Sequence, residues 1–254
     1  TTALLILFFR SLESCSVGGL VDVVALSSPA LVSISLTNNR LAGQLSDSFF
    51  TKPTIEYINL NEFALTGHIP REIAQATKLR SLSVVSFRNP FGQLPDELGS
   101  LKYLEELVVT APLMTSPIPR SIGNATSLTR LELQILIRSD IPPSIGQLVN
   151  LETLYLTQDV TGVLPEEIGN LESLEVLRIT NSFSLLGTVP ASIGNLKKLQ
   201  TLDLSSTAIR GPLPPTIGDL ENLKKFGADS LYMGGNRPKK GLRQLPAEIG
   251  KLKN

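Results

Sequence analysis

The chain has 254 residues, with 23 Lys plus Arg balanced by 23 Asp plus Glu, so its formal net charge is zero. This balance argues against nucleic-acid binding through phosphate neutralisation, because no dense basic tract occurs outside residues 237–240. Cys15 is the single cysteine and His68 the single histidine, so these residues hold neither an internal disulfide nor a histidine pair for a metal. No cofactor is expected.

Residues 1–30 are expected to form an N-terminal cap or to retain part of a signal sequence. Residues 3–9 are an apolar run that ends at Arg10, much shorter than the about 20 residues of a membrane-spanning helix. The run fits two interpretations, either the tail of a secretory signal that starts before Thr1 or a buried strand or helix of the cap. The sequence leaves both open.

From Leu31 onward, a segment of the form Leu-x-x-Leu-x-Leu recurs at a nearly constant interval. Its first positions are Leu31, Ile55, Leu79, Leu104, Leu128, Leu151, Leu174, Leu199 and Leu223. Successive differences between these positions are 24, 24, 25, 24, 23, 23, 25 and 24 residues. A period this regular predicts a solenoid, in which each unit buries its apolar face against its neighbours. Residues 31–254 are therefore expected to form one domain of about nine repeats.

Each repeat predicts one strand and one turn. Alternation along the strand sends the second and third leucines inward and the residues beside them outward. The connecting Pro-x-x-Ile-Gly segments are expected to form short helical or 3₁₀ turns, in which proline suits the start and glycine permits a positive φ at the end. The predicted fold is an α/β solenoid, a right-handed superhelix with a parallel concave β-sheet and these turns on its convex side.

The last repeat departs from this spacing. Leu223 to Pro246 takes 23 residues, whereas Leu199 to Pro214 takes 15. An insertion is therefore expected near 229–244, as a surface loop that either reaches a partner or is a tolerated excursion. Because the sequence ends at Asn254, where another strand would begin, it is expected to be part of a longer protein.

The repeats also carry a tail of the form Leu-x-Gly-x-Ile/Leu-Pro. Examples are Gly67-His68-Ile69-Pro70, Gly162-Val163-Leu164-Pro165, Gly187-Thr188-Val189-Pro190 and Gly211-Pro212-Leu213-Pro214. With this tail, the units resemble the plant-type extracellular leucine-rich repeats of receptor-like kinases, receptor-like proteins and polygalacturonase inhibitors. Two features depart from that pattern. The asparagine usual after the strand is present only at Asn39, and Ser116 and Ser139 replace two tail glycines.

The resemblance implies a recognition domain without catalysis, whose concave face binds a protein, peptide or glycan. The leading interpretation is the ectodomain of a receptor-like kinase or receptor-like protein at the cell surface, joined to the membrane by segments outside this chain. A co-receptor would be a further partner. The alternatives are a secreted inhibitor of a cell-wall-degrading enzyme and a cytosolic scaffold. Related extracellular domains commonly pair two cysteines in an N-terminal cap, and Cys15 is interpreted either as the remaining member of such a pair or as an unpaired small hydrophobic residue.

Outward side chains form three predicted rows across the strands. The first row is Ser33, Tyr57, Ser81, Glu106, Arg130, Thr153, Val176, Thr201 and Lys225. The middle row is Ser35, Asn59, Ser83, Val108, Glu132, Tyr155, Arg178, Asp203 and Gly227. The third row is Thr37, Asn61, Val85, Thr110, Gln134, Thr157, Thr180, Ser205 and Asp229. The threonines of the third row suggest ice or surface binding, but Val85 and Gln134 interrupt them.

The middle row contains the candidate ligand-binding residues. Glu132, Tyr155, Arg178 and Asp203 fall on consecutive strands about 4.8 Å apart, with Arg130 beside them. Tyrosine and arginine are frequent at binding hot spots. The alternative interpretation is that Arg178 and Asp203 form an ordinary exposed ion pair.

Other motifs fall on the predicted turns and loops. Asn124-Ala125-Thr126 is a glycosylation sequon on a convex turn, which favours secretion. The acidic pairs Asp96/Glu97 and Glu166/Glu167 lie in the turn segments, where neighbouring charges usually face solvent. His68 is expected to be a solvated loop residue.

Overall fold

The structure is a computed structural model that describes residues 31–37, 42–44, 50–61, 64–66, 68–87, 92–228 and 247–248. The predicted cap at 1–30, with the apolar run 3–9 and Cys15, lies outside the described residues. The predicted insertion near 229–244 lies outside them as well. The domain boundaries placed there therefore remain predictions, whereas most of the repeat region is described.

One strand from each predicted repeat joins a single nine-stranded parallel sheet. The strands are β1 (Ser33–Thr37), β3 (Tyr57–Asn61), β5 (Ser81–Val85), β6 (Glu106–Thr115), β7 (Arg130–Leu136), β8 (Thr153–Thr157), β10 (Val176–Thr180), β12 (Thr201–Asp203) and β13 (Lys225–Gly227). Four lateral strands that the leucine pattern does not predict pair separately, β2 (Ala42–Gln44) with β4 (Ala64–Thr66) and β9 (Thr161–Val163) with β11 (Ser184–Leu186). The predicted solenoid is confirmed.

The inward side chains of the main sheet stack in file, as the leucine period predicts. Leu131, Leu154, Leu177 and Leu202 are register partners on β7, β8, β10 and β12, and each is 0% exposed. Each such burial contributes about 1.5–3 kcal/mol to folding. The buried residues form one continuous core from Leu31 to Leu223, because each leucine is covered by its equivalents in the repeats before and after it.

Seven 3₁₀ turns of five residues line the other side of this core in the described residues. They are Arg71–Gln75, Asp96–Ser100, Arg120–Asn124, Pro143–Gln147, Glu166–Asn170, Ala191–Asn195 and Pro215–Asp219. A proline precedes each turn, and Pro190 shows why, since its φ of −67° is the value that the pyrrolidine ring imposes. Within the same turn Ile193 is buried, and its carbonyl oxygen accepts a hydrogen bond from the N–H of Leu196.

The glycine after the buried isoleucine has a different role from the predicted one. A Cβ on Gly123 would lie 2.2 Å from the carbonyl oxygen of Ser144 in the next turn. A Cβ on Gly194 would lie 2.6 Å from the carbonyl oxygen of Thr216. The described glycines with positive φ are instead Gly162, Gly187 and Gly211 in the repeat tails. The predicted positive φ in the turns is wrong, because glycine is needed there for close approach of the next backbone.

The close contact between a turn glycine and the backbone of the next turn also locates residues 247–248. A Cβ on Gly218 would lie 2.6 Å from the carbonyl oxygen of Glu248. Glu248 thus takes the place on Gly218 that Thr216 takes on Gly194. Ser192 packs on Gly169 in the same way, and it precedes Thr216 by 24 residues. Glu248 follows Thr216 by 32 residues, so this last interval is longer. Residues 247–248 therefore continue the stack of turns after a longer excursion.

Serine hydroxyls bind backbone amides where the family pattern would place asparagine or glycine. Ser182 Oγ accepts a hydrogen bond from the N–H of Val160 at 3.2 Å and donates to the carbonyl oxygen of Thr180 at 3.1 Å. Ser116 Oγ accepts from the N–H of Leu94 at 2.8 Å. Both serines are 0% exposed. These hydroxyls satisfy buried amides between neighbouring repeats, which the asparagine ladder does in the family pattern.

We expect Gly123→Ala to lower the free energy of unfolding by about 1–3 kcal/mol, because the new methyl group forces the next turn away. Urea denaturation followed by circular dichroism measures the change. Arg120→Ala, at an exposed position of the same turn, is the control and should shift stability by less than about 0.5 kcal/mol. Equal stability of Gly123→Ala and the parent chain would contradict the close-approach role.

We expect Ser182→Ala to cost about 1–3 kcal/mol, because it leaves the buried N–H of Val160 without its acceptor. Ser192→Ala provides a matched control, since the Ser192 hydroxyl donates to the carbonyl oxygen of Glu166 at 2.6 Å in an exposed position. Thermal denaturation of the two variants should therefore give clearly different melting temperatures. Similar losses in both would show that the Ser182 hydroxyl is not specifically required.

Candidate functional site

The sheet has one face on the core and one open face, which carries the first and middle predicted rows. The register aligns Glu132 with Tyr155, Tyr155 with Arg178 and Arg178 with Asp203 across β7, β8, β10 and β12. All four side chains are intermediate in exposure. The structure thus brings these predicted residues side by side, on strands spaced about 4.8 Å apart.

Arg178 is held between the two neighbouring side chains of the middle row. Its guanidinium carbon lies 5.3 Å from the centroid of the Tyr155 ring, and its Nε lies 3.6 Å from Asp203 Oδ2. We call Tyr155, Arg178 and Asp203 the Arg178 cluster. A cation over an aromatic ring gains about 0.5–1 kcal/mol at such partly exposed sites. Two neighbours therefore orient this guanidinium before any ligand arrives.

The Nε atom of Arg178 is the unusual feature of the cluster. It is buried and has no hydrogen-bond acceptor among the described residues, because Asp203 Oδ2 lies just beyond hydrogen-bond distance. A buried donor without an acceptor costs free energy. The Nε–H group of Arg178 is therefore a hydrogen-bond donor that no described residue pairs with.

Arg130 and Glu132 form a separate ion pair beside the cluster. Arg130 Nη2 lies 2.9 Å from Glu132 Oε1, and Arg130 Nε donates to the same oxygen at 3.0 Å. The Glu132 side chain is 15% exposed, whereas that of Arg130 is 47% exposed. Arg130 also lies in the first row, opposite Thr153 rather than Tyr155. The five predicted residues thus divide into two groups, and Arg130 already occupies an oxygen of the Glu132 carboxylate.

A further row of polar side chains, one residue before each strand of the main sheet after β1, is not among the predicted rows. In this edge row Arg80 pairs with Glu105 and lies 3.8 Å from Glu56. Further along, Gln200 Nε2 donates to Glu175 Oε2 at 2.9 Å, and Lys224 Nζ donates to Gln200 Oε1 at 3.0 Å. Opposite charges recurring at the repeat interval were the sequence signal for this row. It joins neighbouring repeats along one margin of the open face.

The third predicted row is less accessible than expected. Thr110 and Thr157 are buried, at 9% and 5% exposed. Ser205 lies beyond the end of β12, and Asp229 is outside the described residues. The register keeps this row on the open face, but the row is covered at Thr110 and Thr157. The row of threonines that suggested ice binding is therefore interrupted twice. Val85 and Gln134 interrupt it in the sequence, and the burial of Thr110 and Thr157 interrupts it in the structure.

The remaining candidate residues lie away from the open face. His68, Arg71, Asp96 and Glu97 line an open groove beside the turns, together with Pro95, Pro117 and Pro119. Glu166 and Glu167 are exposed in their turn, and Asn124 is exposed at the end of the turn Arg120–Asn124. The buried polar side chains of the described chain are all serine or threonine. The candidate site is consequently built from partly exposed groups on a surface.

The described residues contain neither a membrane-spanning helix nor a cluster of metal ligands. No helix there is both long and apolar enough to cross a membrane. No group of three or more His, Cys, Asp or Glu side chains there is arranged to hold a metal ion.

Comparisons with known proteins agree with the repeat and the fold. The Leucine Rich Repeat family model matches residues 198–220. The ectodomain of the Arabidopsis thaliana receptor kinase GASSHO1/SCHENGEN3, solved with CASPARIAN STRIP INTEGRITY FACTOR 2, is 32% identical over 77% of this chain, with a TM-score of 0.72. The plant peptide hormone receptor RGFR1, solved with RGF2, is 27% identical over 87%, with a TM-score of 0.64.

A third plant structure gives a similar result. The Arabidopsis receptor kinase HAESA, solved with the peptide hormone IDA and the co-receptor SERK1, is 25% identical over 85% of this chain, with a TM-score of 0.65. This chain spans 24%, 38% and 45% of the three matched chains, in the order given. Comparison with curated proteins gave no significant match.

The fold and the family match define a leucine-rich-repeat solenoid. Its resemblance to the plant-type extracellular repeats is confirmed by the receptor-kinase ectodomains that it matches in structure. The chain is similar to a part of those ectodomains, since it spans less than half of each.

We expect the Arg178–Asp203 pair to contribute only about 0.2–1 kcal/mol to stability, because both side chains are partly exposed. A double-mutant cycle with Arg178→Ala and Asp203→Ala, measured by urea denaturation, gives the coupling. The pair of Arg138 and Asp159, at 3.4 Å and more exposed, serves as the control cycle. A coupling of about 3 kcal/mol or more would contradict this prediction, since it would make the pair a structural element.

Proposed function

We propose that this chain is a non-catalytic recognition domain whose open sheet face binds a peptide or an extended segment of a protein. The Arg178 cluster is the proposed centre of that contact, and the Arg130–Glu132 pair lies next to it. Peptide binding suits this face because side chains from successive strands present a continuous line of contacts. No covalent chemistry is required of these residues.

The proposal rests on the fixed orientation of the Arg178 side chain. Its guanidinium is oriented by Tyr155 and Asp203, yet its buried Nε has no acceptor within the described residues. The Arg178 side chain is 35% exposed although its Nε is buried, so its solvent-facing guanidinium N–H groups would donate to a carbonyl or carboxylate oxygen of a ligand. The cost of ordering the arginine side chain is already met in the free protein, which favours binding.

We further propose that the domain works as part of the ectodomain of a plant receptor-like kinase or receptor-like protein, outside the cell. Three of the structures that it resembles are plant receptors, and they were solved with CASPARIAN STRIP INTEGRITY FACTOR 2, with RGF2 and with the peptide hormone IDA. The HAESA structure also contains a co-receptor, so a co-receptor is a proposed second partner here. Signalling and membrane attachment would reside in other segments of the full-length protein.

Selection of a random linear peptide library against the immobilised chain tests the binding proposal. We expect selected peptides to lose at least about tenfold in affinity, or 1.4 kcal/mol, with Arg178→Ala and with Tyr155→Ala. Calorimetry with purified variants measures the loss.

Arg138→Ala is the matched control, because it also breaks an arginine–carboxylate pair but lies outside the first and middle rows. It should leave the affinity unchanged. Peptides that bind the parent chain and all three variants equally would exclude the Arg178 cluster as the binding centre. A library that yields no binder would contradict peptide recognition by this chain.

A further inference from the structure

The turn that ends at Asn124 differs chemically from the other six turns. Its last residue begins the sequence Asn124-Ala125-Thr126, the acceptor motif for N-linked glycans. Asn170 and Asn195 end two other turns and are equally exposed, but Glu172 and Lys197 stand where the motif needs a hydroxyl residue. The shared backbone position therefore carries a complete acceptor motif in only this one of the seven turns.

The side chains of this motif are free in the folded protein. Asn124 and Thr126 are exposed, and neither side chain makes a hydrogen bond within the described residues. The turn itself is fixed by its backbone, since the N–H of Ala125 donates to the carbonyl oxygen of Ile122 at 3.0 Å. Asn150 Nδ2 also donates to the carbonyl oxygen of Thr126 at 3.0 Å. A group attached to Asn124 Nδ2 would therefore displace no contact that holds the repeat.

The position also keeps such a group away from the proposed ligand. Asn124 ends a turn on one side of the buried core, and the Arg178 cluster lies on the sheet at the other side. The residues between them, such as Ile122 and Leu131, are buried. A glycan on Asn124 would cover part of the turn wall and leave the open face of the sheet accessible.

We propose that Asn124 carries an N-linked glycan and that this part of the turn wall is consequently not a protein-binding surface. The donor is an oligosaccharide linked to a lipid pyrophosphate in the secretory pathway. The bond from Asn124 Nδ2 to the first sugar carbon forms, and the bond from that carbon to the pyrophosphate oxygen breaks. Nδ2 loses one proton, and the lipid pyrophosphate leaves.

Secretion of the full chain from a eukaryotic host, followed by peptide N-glycosidase treatment and peptide mass spectrometry, tests this proposal. We expect a single mobility shift on treatment, with Asn124 converted to Asp as the enzyme removes the glycan. Asn124→Gln and Thr126→Ala should abolish the shift, whereas Thr126→Ser should keep it because serine also completes the motif.

Glu172→Thr is the positive control, because it places a complete motif on the equivalent exposed turn at Asn170. The Glu172 side chain makes no hydrogen bond or ion pair within the described residues, so the substitution should not disturb the fold. Secreted protein with an unmodified Asn124, alongside a glycosylated Asn170 in the Glu172→Thr variant, would overturn the proposal.

Discussion

No coil of this chain encloses its own leucines, so each coil depends on the next to cover them. That constraint requires every repeat to place its strand in the same register as its neighbours. The four stacked leucines from Leu131 to Leu202 show the result. Once the inward residues are aligned, alternation along each strand aligns the outward ones as well. The side chains of the Arg178 cluster are therefore neighbours because the leucines on adjacent strands are forced into line.

The sequence predicted the sheet and its rows well because both follow from one period. It predicted the turns but not the reason for their glycines, since the close approach of Gly123 to Ser144 depends on the next coil. The roles of Ser116 and Ser182 were also hidden, because a serine that replaces a glycine or an asparagine carries no motif. Burial of Thr157 was missed because alternation along a strand predicts the face on which a side chain lies and not how much of that side chain is covered.

Within the candidate site, the sequence predicted which residues are neighbours but not how they pair. Arg130 and Glu132 lie on one strand and bind each other, whereas the buried Nε of Arg178 has no acceptor in the described part of the chain. Leucine-rich-repeat folds are shared by proteins with unrelated ligands, so function must be argued from such side chains rather than from the fold. An oriented guanidinium on an open sheet face is the feature on which the proposed recognition function rests.

Cysteine cross-linking in a Cys15→Ser background tests the shared register most directly. Thr153 and Val176 are register partners, so Thr153→Cys with Val176→Cys should form a disulfide on oxidation. Thr153→Cys with Arg178→Cys should not, because the second cysteine lies two residues further along the strand and beyond the usual Cα separation. A disulfide in the second pair and none in the first would contradict the alignment on which the fold and the proposed site depend.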